Sequence, residues 1–303
     1  MKRFFYTAIS LLLLSALIIS TGQLAFADLS APLAENMELT TYRNATVGGK
    51  LSAYDPDGGE LKYMISTRPI KGSIELEEDG SFVYTPMEGK KGRDYFGYKV
   101  SDSDGNVSQE ATVIIRIEKQ NKDVMYSDMI GRADEYTALF LSEKDIFTGE
   151  QIGGKYCFYP EKEVSRGEFI SLCMLLNGDM QVEAVLNTGY ADDKMIPMWM
   201  KPYAASAAMS GVYTGVSTEQ GTVFSHDEAI SVSEAVLMLD RALETTKVNY
   251  LSLDEYAPAD VAQACLNLAA CGILEDTGIS PDMLTRADMA QMISSALSVI
   301  EKR

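Results

Sequence analysis

A short phrase, written three times, constrains this chain more than any other feature. It reads Phe158-Tyr159-Pro160 with Val164-Ser165-Arg166-Gly167-Glu168-Phe169, then Phe224-Ser225-His226 with Ile230-Ser231-Val232-Ser233-Glu234-Ala235. The third copy reads Ile279-Ser280-Pro281 with Leu284-Thr285-Arg286-Ala287-Asp288-Met289. In each copy a Ser or Thr stands three residues before a Glu or Asp, just ahead of an apolar run. This is the spacing of a capping box: the hydroxyl accepts from the third helical N–H, and the carboxylate accepts from the N–H of the cap residue. The upstream gaps repeat too. Ile146 to Phe158 and Val212 to Phe224 are both 12 residues, and Phe158 to Val164 and Phe224 to Ile230 are both 6. Chance capping boxes would not hold an apolar residue in register 18 positions upstream, so these are duplicated units. The third is trimmed, since Ile273 to Ile279 spans only 6 residues, as is common in terminal repeats.

These residues resemble the S-layer homology (SLH) repeat, whose usual form is Phe-x-Asp-Val, a Trp-Ala pair opening a helix, a Gly-Ile turn, Phe-x-Pro, then Ile-Thr-Arg-Ala-Glu opening a second helix. Tyr126-Ser127-Asp128-Met129 through Ile146-Phe147-Thr148-Gly149 lie on that pattern without a gap. The second unit offers Tyr190-Ala191-Asp192, Trp199, Pro202-Tyr203 and Gly211-Val212, and the third Tyr256, Val261 and Gly272-Ile273-Leu274. The resemblance covers residues 124–300 and implies an all-α bundle of three helix-loop-helix repeats at 126–189, 190–250 and 251–303.

At 303 residues the chain has room for about two domains. Residues 1–27 belong to neither: Lys2 and Arg3 precede an apolar run from Ala8 to Ile19, and Ala25-Phe26-Ala27 is a small-x-small cleavage site, so a secretory signal peptide is expected. No second apolar stretch reaches spanning length, so a protein that stays on its cell is expected to be held by binding rather than by an integral span. The formal net charge of −18 disfavours nucleic acid and anionic membrane as general partners. Residues 28–120 hold 16 acids and 11 bases, whereas residues 121–303 hold 28 and 13. An Arg kept in two of three matching places within so acidic a region therefore stands out.

Residues 31–119 are of a different kind. Alternating runs at Leu51–Tyr54, Leu61–Ile65, Ser73–Leu76, Phe82–Thr85, Tyr95–Val100 and Ala111–Ile117 are punctuated by Asp57-Gly58-Gly59, Asp79-Gly80 and Asp104-Gly105. About seven short strands with a turn every 8–12 residues predict an antiparallel sandwich, with Phe96, Tyr98 and Val100 on one inward face and Val113, Ile115 and Ile117 on another. The stretch also resembles bacterial cadherin-like and immunoglobulin-like modules of secreted surface proteins. Ala31-Pro32-Leu33-Ala34-Glu35, Tyr54-Asp55-Pro56-Asp57-Gly58, Gly80-Ser81-Phe82-Val83-Tyr84-Thr85-Pro86 and Asp94-Tyr95-Phe96-Gly97-Tyr98 appear in that family's order. The expected fold is thus two-domain, an all-β sandwich over 28–119 joined by a polar linker at 120–125 to the helical repeats. Asp55, Asp57, Asp102 and Asp104 have two readings: turn formers, or calcium ligands of the kind that the family places between neighbouring modules.

The chemistry that the helical part can carry is narrow. His226 is the sole histidine and stands where the matching unit has Pro160, which leaves little for Ser-His or Cys-His catalysis. Cys157, Cys173, Cys265 and Cys271 form no metal-ligand spacing; free thiols and a Cys157–Cys173 bridge are the two readings. No cofactor is expected. Arg166 and Arg286 follow their cap residues directly, at a helix N-terminus, where a cation opposes the macrodipole by ~0.3–1 kcal/mol and needs a counter-charge. That counter-charge is either a ligand carboxylate, held bidentately by the guanidinium beside free amides, or an acid of the neighbouring repeat. The SLH resemblance implies the first: a secondary cell-wall polysaccharide bound through its pyruvate ketal carboxylate by Arg166 and Arg286, with Val232 breaking the pattern. The family's first-helix Trp is matched by Trp199, replaced by Ala133 in the first unit, and near Gln263 in the third. Trp199 has two readings, sugar-stacking and core. Asp128 and Asp192, the family's early Asp, are read as caps of the first helix of their units. The function expected is a secreted, non-catalytic protein of the cell wall and cell surface. The alternatives are an adhesin or lattice protein whose repeats bind other surface proteins, and a glycosidase built on two carboxylates.

Overall fold

The computed structural model describes residues 31–176, 185–245, 258–274 and 280–301. The expected leader at 1–27, Tyr256 and Ile279 lie outside the described residues. The N-terminal part is all β. Strands β1 (Leu33–Ala34), β2 (Met37–Tyr42), β3 (Val47–Lys50), β4 (Ala53–Tyr54), β5 (Lys62–Thr67), β6 (Gly72–Leu76), β7 (Ser81–Pro86), β8 (Gly92–Ser101) and β9 (Ala111–Glu118) follow in order. They form a four-stranded sheet, β2-β9-β8-β5, a three-stranded sheet, β3-β7-β6, and a small β1-β4 pair. Alternation in β8 and β9 sends Phe96, Tyr98, Val100, Val113, Ile115 and Ile117 inward, all fully buried as their spacing predicts. Phe82 meets Phe96 edge-on at 5.2 Å in that core. The edge strand β5 is bulged between Ile65 and Thr67, a device that spoils an open edge for further pairing.

The Asp-rich turns form as turns. Asp55 accepts from the amides of Asp57 (3.0 Å) and Gly59 (2.8 Å), and Asp102 accepts from Asp104 (2.9 Å) and from the backbone and side chain of Asn106 (2.8 and 2.9 Å). Among the described residues no group of three or more His, Cys, Asp or Glu is arranged to hold a metal ion.

The C-terminal part has six helices among the described residues: α1 (Glu135–Glu143), α2 (Arg166–Leu176), α3 (Lys201–Ser210), α4 (Val232–Leu243), α5 (Ala259–Ala270) and α6 (Arg286–Ile300). Three of them start at the repeated phrase. Ser231 with Glu234 caps α4, Thr285 with Asp288 caps α6, and Ser165 with Glu168 makes the same reciprocal pair at α2. The region is not purely α, however. A hairpin joins β10 (Glu150–Ile152) to β11 (Lys155–Cys157), and another joins β12 (Val216–Thr218) to β13 (Gly221–Val223), each inside the 12-residue gap that the sequence marked as a loop. No helix among the described residues is long and apolar enough to cross a membrane.

Contacts divide the chain into two compact units, and the division does not follow the change from strand to helix: one unit comprises residues 1–39, 49–82 and 93–116, the other 40–48, 83–92 and 117–303. Within the second unit the polar stretch before α1 is tied down. Glu143 accepts from the amides of Asn121 (3.0 Å) and Lys122 (3.1 Å), and the Lys122 ammonium donates to Ser142 O at 2.7 Å.

At the centre of this unit three backbone bonds close on themselves. Val164 N–H donates to Leu284 O (2.9 Å), Leu284 N–H to Ile230 O (2.8 Å), and Ile230 N–H to Val164 O (3.2 Å). The three residues occupy the same place in the three copies of the phrase, and each side chain is 1% exposed or less. Burying the chain just ahead of three helices would strand its peptide groups, and the cycle satisfies them. The three units are therefore arranged as a ring with three junctions, and α1 of the first unit packs against α6 of the third.

Candidate functional site

Each junction of the ring is built by the first turn of one unit's second helix against the next unit's loop. At the junction of the first and second units, the Arg166 and Gly167 amides donate to Glu228 O and His226 O, both at 2.8 Å. At the junction of the third and first, Arg286 and Ala287 donate to Lys162 O and Pro160 O, both at 2.9 Å. At the junction of the second and third, Val232 donates to Asp282 O at 2.9 Å. The helix N-termini thus spend amides on the neighbouring repeat.

The two arginines sit alike. Arg166 is 5% exposed: its Nη1 donates to Ser225 O (2.9 Å) and Glu228 Oε2 (2.8 Å), its Nη2 donates to Glu234 Oε1 (3.4 Å), and its guanidinium lies over the Tyr213 ring at 5.5 Å. Arg286 is 4% exposed: its Nη1 donates to Phe158 O and its Nη2 to Glu150 Oε1, both at 2.9 Å, and it lies over Phe147 at 5.1 Å. Burial works against the charge of Arg166, and Glu228, Tyr213 and Glu234 outweigh it, leaving the guanidinium pKa raised. Lys162 and Arg286 together hold the Glu150 carboxyl below the usual glutamate range. Each Arg thus has the neighbouring-repeat acid that the sequence allowed as one source of its counter-charge. They differ in one atom. Arg166 Nε is buried and has no hydrogen-bond partner among the described residues, a cost of about 1–3 kcal/mol for a donor taken from water. Glu228, which occupies the open side of that fork, is itself largely exposed.

Trp199 is not a core residue. It is 59% exposed and stands in an apolar surface run with Met195 and Met198. Its neighbour Met200 is buried against the residue after Arg166: a Cβ on Gly167 would lie 2.3 Å from Met200 Sδ, so only glycine admits this approach of α3's entry to α2's start. Arg166 and Trp199 therefore belong to the same junction. The equivalent places at the junction of the third and first units hold Arg286 and Ala133.

Several contacts were missed from the sequence. Tyr213 and Phe147, the rings under the two guanidiniums, are 66 residues apart, the offset that relates Phe158 to Phe224; that offset was the available signal. Asp128 and Asp192 do not cap helices. Asp128 accepts from the amides of Phe158 (2.9 Å) and Tyr159 (2.7 Å), and Asp192 from those of Phe224 and Ser225 (both 2.8 Å). They pin each hairpin's exit, where Tyr159 and Ser225 adopt φ of 55° and 53°, conformations that non-glycine residues hold only when tied. Asp134 and Met200 hold the cap positions of α1 and α3 instead, with no side-chain cap bond. All four cysteines are free thiols, Cys173 and Cys265 buried and the other two half-buried.

Residues 29–119 match the family described as the bacterial cadherin-like domain. No S-layer homology family was matched, and no curated protein matches the chain. Among solved structures, an endo-fucoidan hydrolase of glycoside hydrolase family 107 is 20% identical over 33% of this chain and 15% of its own, with a TM-score of 0.26. The SrpA adhesin from Streptococcus sanguinis is 17% identical over 34% of this chain and 64% of its own, with a TM-score of 0.27. The D00-D0 domain of intimin is 14% identical over 31% and 50%, with a TM-score of 0.23. The chain spans about a sixth of the length of the glycoside hydrolases it matches, and overlaps this partial carry no functional argument. The family match and the sheet topology together make residues 29–119 a bacterial cadherin-like domain, which fits a surface protein, ahead of a helical part with six helices among the described residues.

Proposed function

We propose that the helical part is a set of three SLH repeats that holds a secreted, non-catalytic protein on the bacterial cell wall by binding secondary cell-wall polysaccharide. The observation that carries this reading is the pairing, at one junction, of a buried guanidinium with an unpaired Nε and an exposed Trp. A planar fork with a spare donor suits a carboxylate such as a pyruvate ketal, and an exposed indole suits a sugar face. Glu228 is exposed enough to swing away, so that a ligand carboxylate can replace one intramolecular acid with another at little desolvation cost. Cap pairing, duplicated gaps and ring closure support three repeats of common origin.

The test is sedimentation of the protein with cell-wall sacculi of its source, before and after acid extraction of the secondary polymer. Binding that disappears on extraction is the expected result; binding that survives extraction refutes the polysaccharide reading. The second reading is an adhesin or lattice protein whose repeats bind another surface protein. The exposed run Met195, Met198 and Trp199 favours it, and retention on extracted sacculi is the result it predicts.

A further inference from the structure

The three junctions are unequal, and the inequality follows from one contact that the repeat pattern does not contain. At the junction of the first and second units both Arg166 and Trp199 are present. At the junction of the second and third units the Arg is Val232, and the residue matching Tyr213 and Phe147 is Leu274, so cation and ring are lost together; the only Trp of the chain is Trp199. The junction of the third and first units is the informative one. It keeps Arg286 and Phe147, yet has Ala133 where the second unit has Trp199. Ala133 is covered by the chain itself: Gly48 N–H donates to Ala133 O at 2.7 Å, and a Cβ built on Gly48 would stand 2.7 Å from the Ala133 Cβ. The adjoining contacts fix this segment in place. Thr46 N–H donates to Glu135 Oε2 (3.0 Å), Tyr136 N–H donates to Thr46 O (3.1 Å), and the rings of Tyr42 and Tyr136 lie 5.2 Å apart. Thr46, Glu135 and Ala45 are all buried. An indole at position 133 has no room.

We infer that the chain has one working polymer site, at the junction of Arg166 and Trp199, and that the junction of Arg286 is closed by the chain's own segment Thr46–Gly48 and serves to hold the ring together. This rests on the wall-polysaccharide reading and sharpens it. The hydrogen bonds agree: Arg286 is engaged by Phe158 O, Glu150 and Phe147, whereas Arg166 keeps a buried donor in reserve.

The experiment uses the full chain, intact sacculi, and the polymer released from them by acid. Arg166→Lys and Trp199→Ala should each weaken sedimentation at least tenfold, while Arg286→Lys, which keeps the charge, should change it less than twofold. Trp199 emission should shift on addition of the released polymer, a readout that needs no variant because no other Trp contributes. Arg286→Lys losing as much affinity as Arg166→Lys, with an unchanged circular dichroism spectrum, would overturn the inference while leaving wall binding intact. So would polymer binding that leaves Trp199 emission unmoved. A wild-type chain that fails to sediment at all refutes the wall reading itself, and the inference falls with it.

Discussion

Replacing Leu284 by Ala tests whether the helical units form one cooperative ring. Leu284 is fully buried, and its backbone both donates to Ile230 and receives from Val164. Truncation removes the transfer free energy of the lost carbons and leaves a cavity between three units, which costs about 3–5 kcal/mol for a buried Leu. That is a large part of the 5–15 kcal/mol that stabilises an ordinary domain, and for a unit of roughly 200 residues it lowers Tm by about 5–20 °C. The location of the loss matters more than its size. In an open stack of repeats, damage in the third would loosen the third and its neighbour. In a closed ring, Val164 loses its acceptor's support as directly as Ile230 loses its donor's. Amide hydrogen exchange should therefore accelerate in α2 and α4 as well as α6, by the same free-energy increment. Faster exchange confined to α6, with α2 as protected as in the parent, would refute the ring as a cooperative element.

Other consequences are simpler. Glu150 has a depressed pKa because Lys162 and Arg286 stabilise its charged form, so its contribution is present above the ordinary glutamate value near 4.5 and is lost as pH falls through the lower folded value; the stability gap between the parent and Glu150→Gln should be widest near pH 7 and close in denaturant melts near pH 3. Burial pushes the thiol pKa of Cys173 and Cys265 up, so a thiol reagent at pH 8 should label Cys157 and Cys271 first in native protein, as read by peptide mass. Gly149 has φ +69°, and a Cβ there would meet Cys157 O at 2.5 Å, whereas Gly153 has φ +58° and open space. Gly149→Ala should cost more than the ~1–2 kcal/mol of left-handed strain expected for Gly153→Ala, as measured by thermal melts.

What could be read from the sequence was local or periodic. The capping boxes depend on residues three apart, and the inward faces of β8 and β9 on residues two apart, so both were legible. The hairpins β10–β11 and β12–β13 are too short to show a period, and only Gly153-Gly154 and Gln220-Gly221 marked them. Strand β3 was missed because Gly48 and Gly49 erase its alternation. Asp128 and Asp192 were misread because an Asp near a helix start looks like a cap, while their partners lie 30 to 33 residues downstream. For the arginines the sequence supplied the place and both readings of the counter-charge, but the rings and acids around them come from another unit. Ala133 could be seen as a departure but not explained, since its cause, Gly48, is 85 residues away in a segment of different character.

The cycle of Val164, Ile230 and Leu284 also bears on how such a protein can change through gene duplication. A row of repeats can gain or lose a member at either end and keep every remaining contact. A three-membered cycle offers no end: a fourth unit inserted between any two must break one of the three bonds before it can form its own. Copy number is thereby frozen, and divergence has only the individual junctions to work on. Cation and ring vanishing together at Val232 and Leu274, and indole giving way to methyl at Ala133, are what drift under a fixed copy number would leave behind.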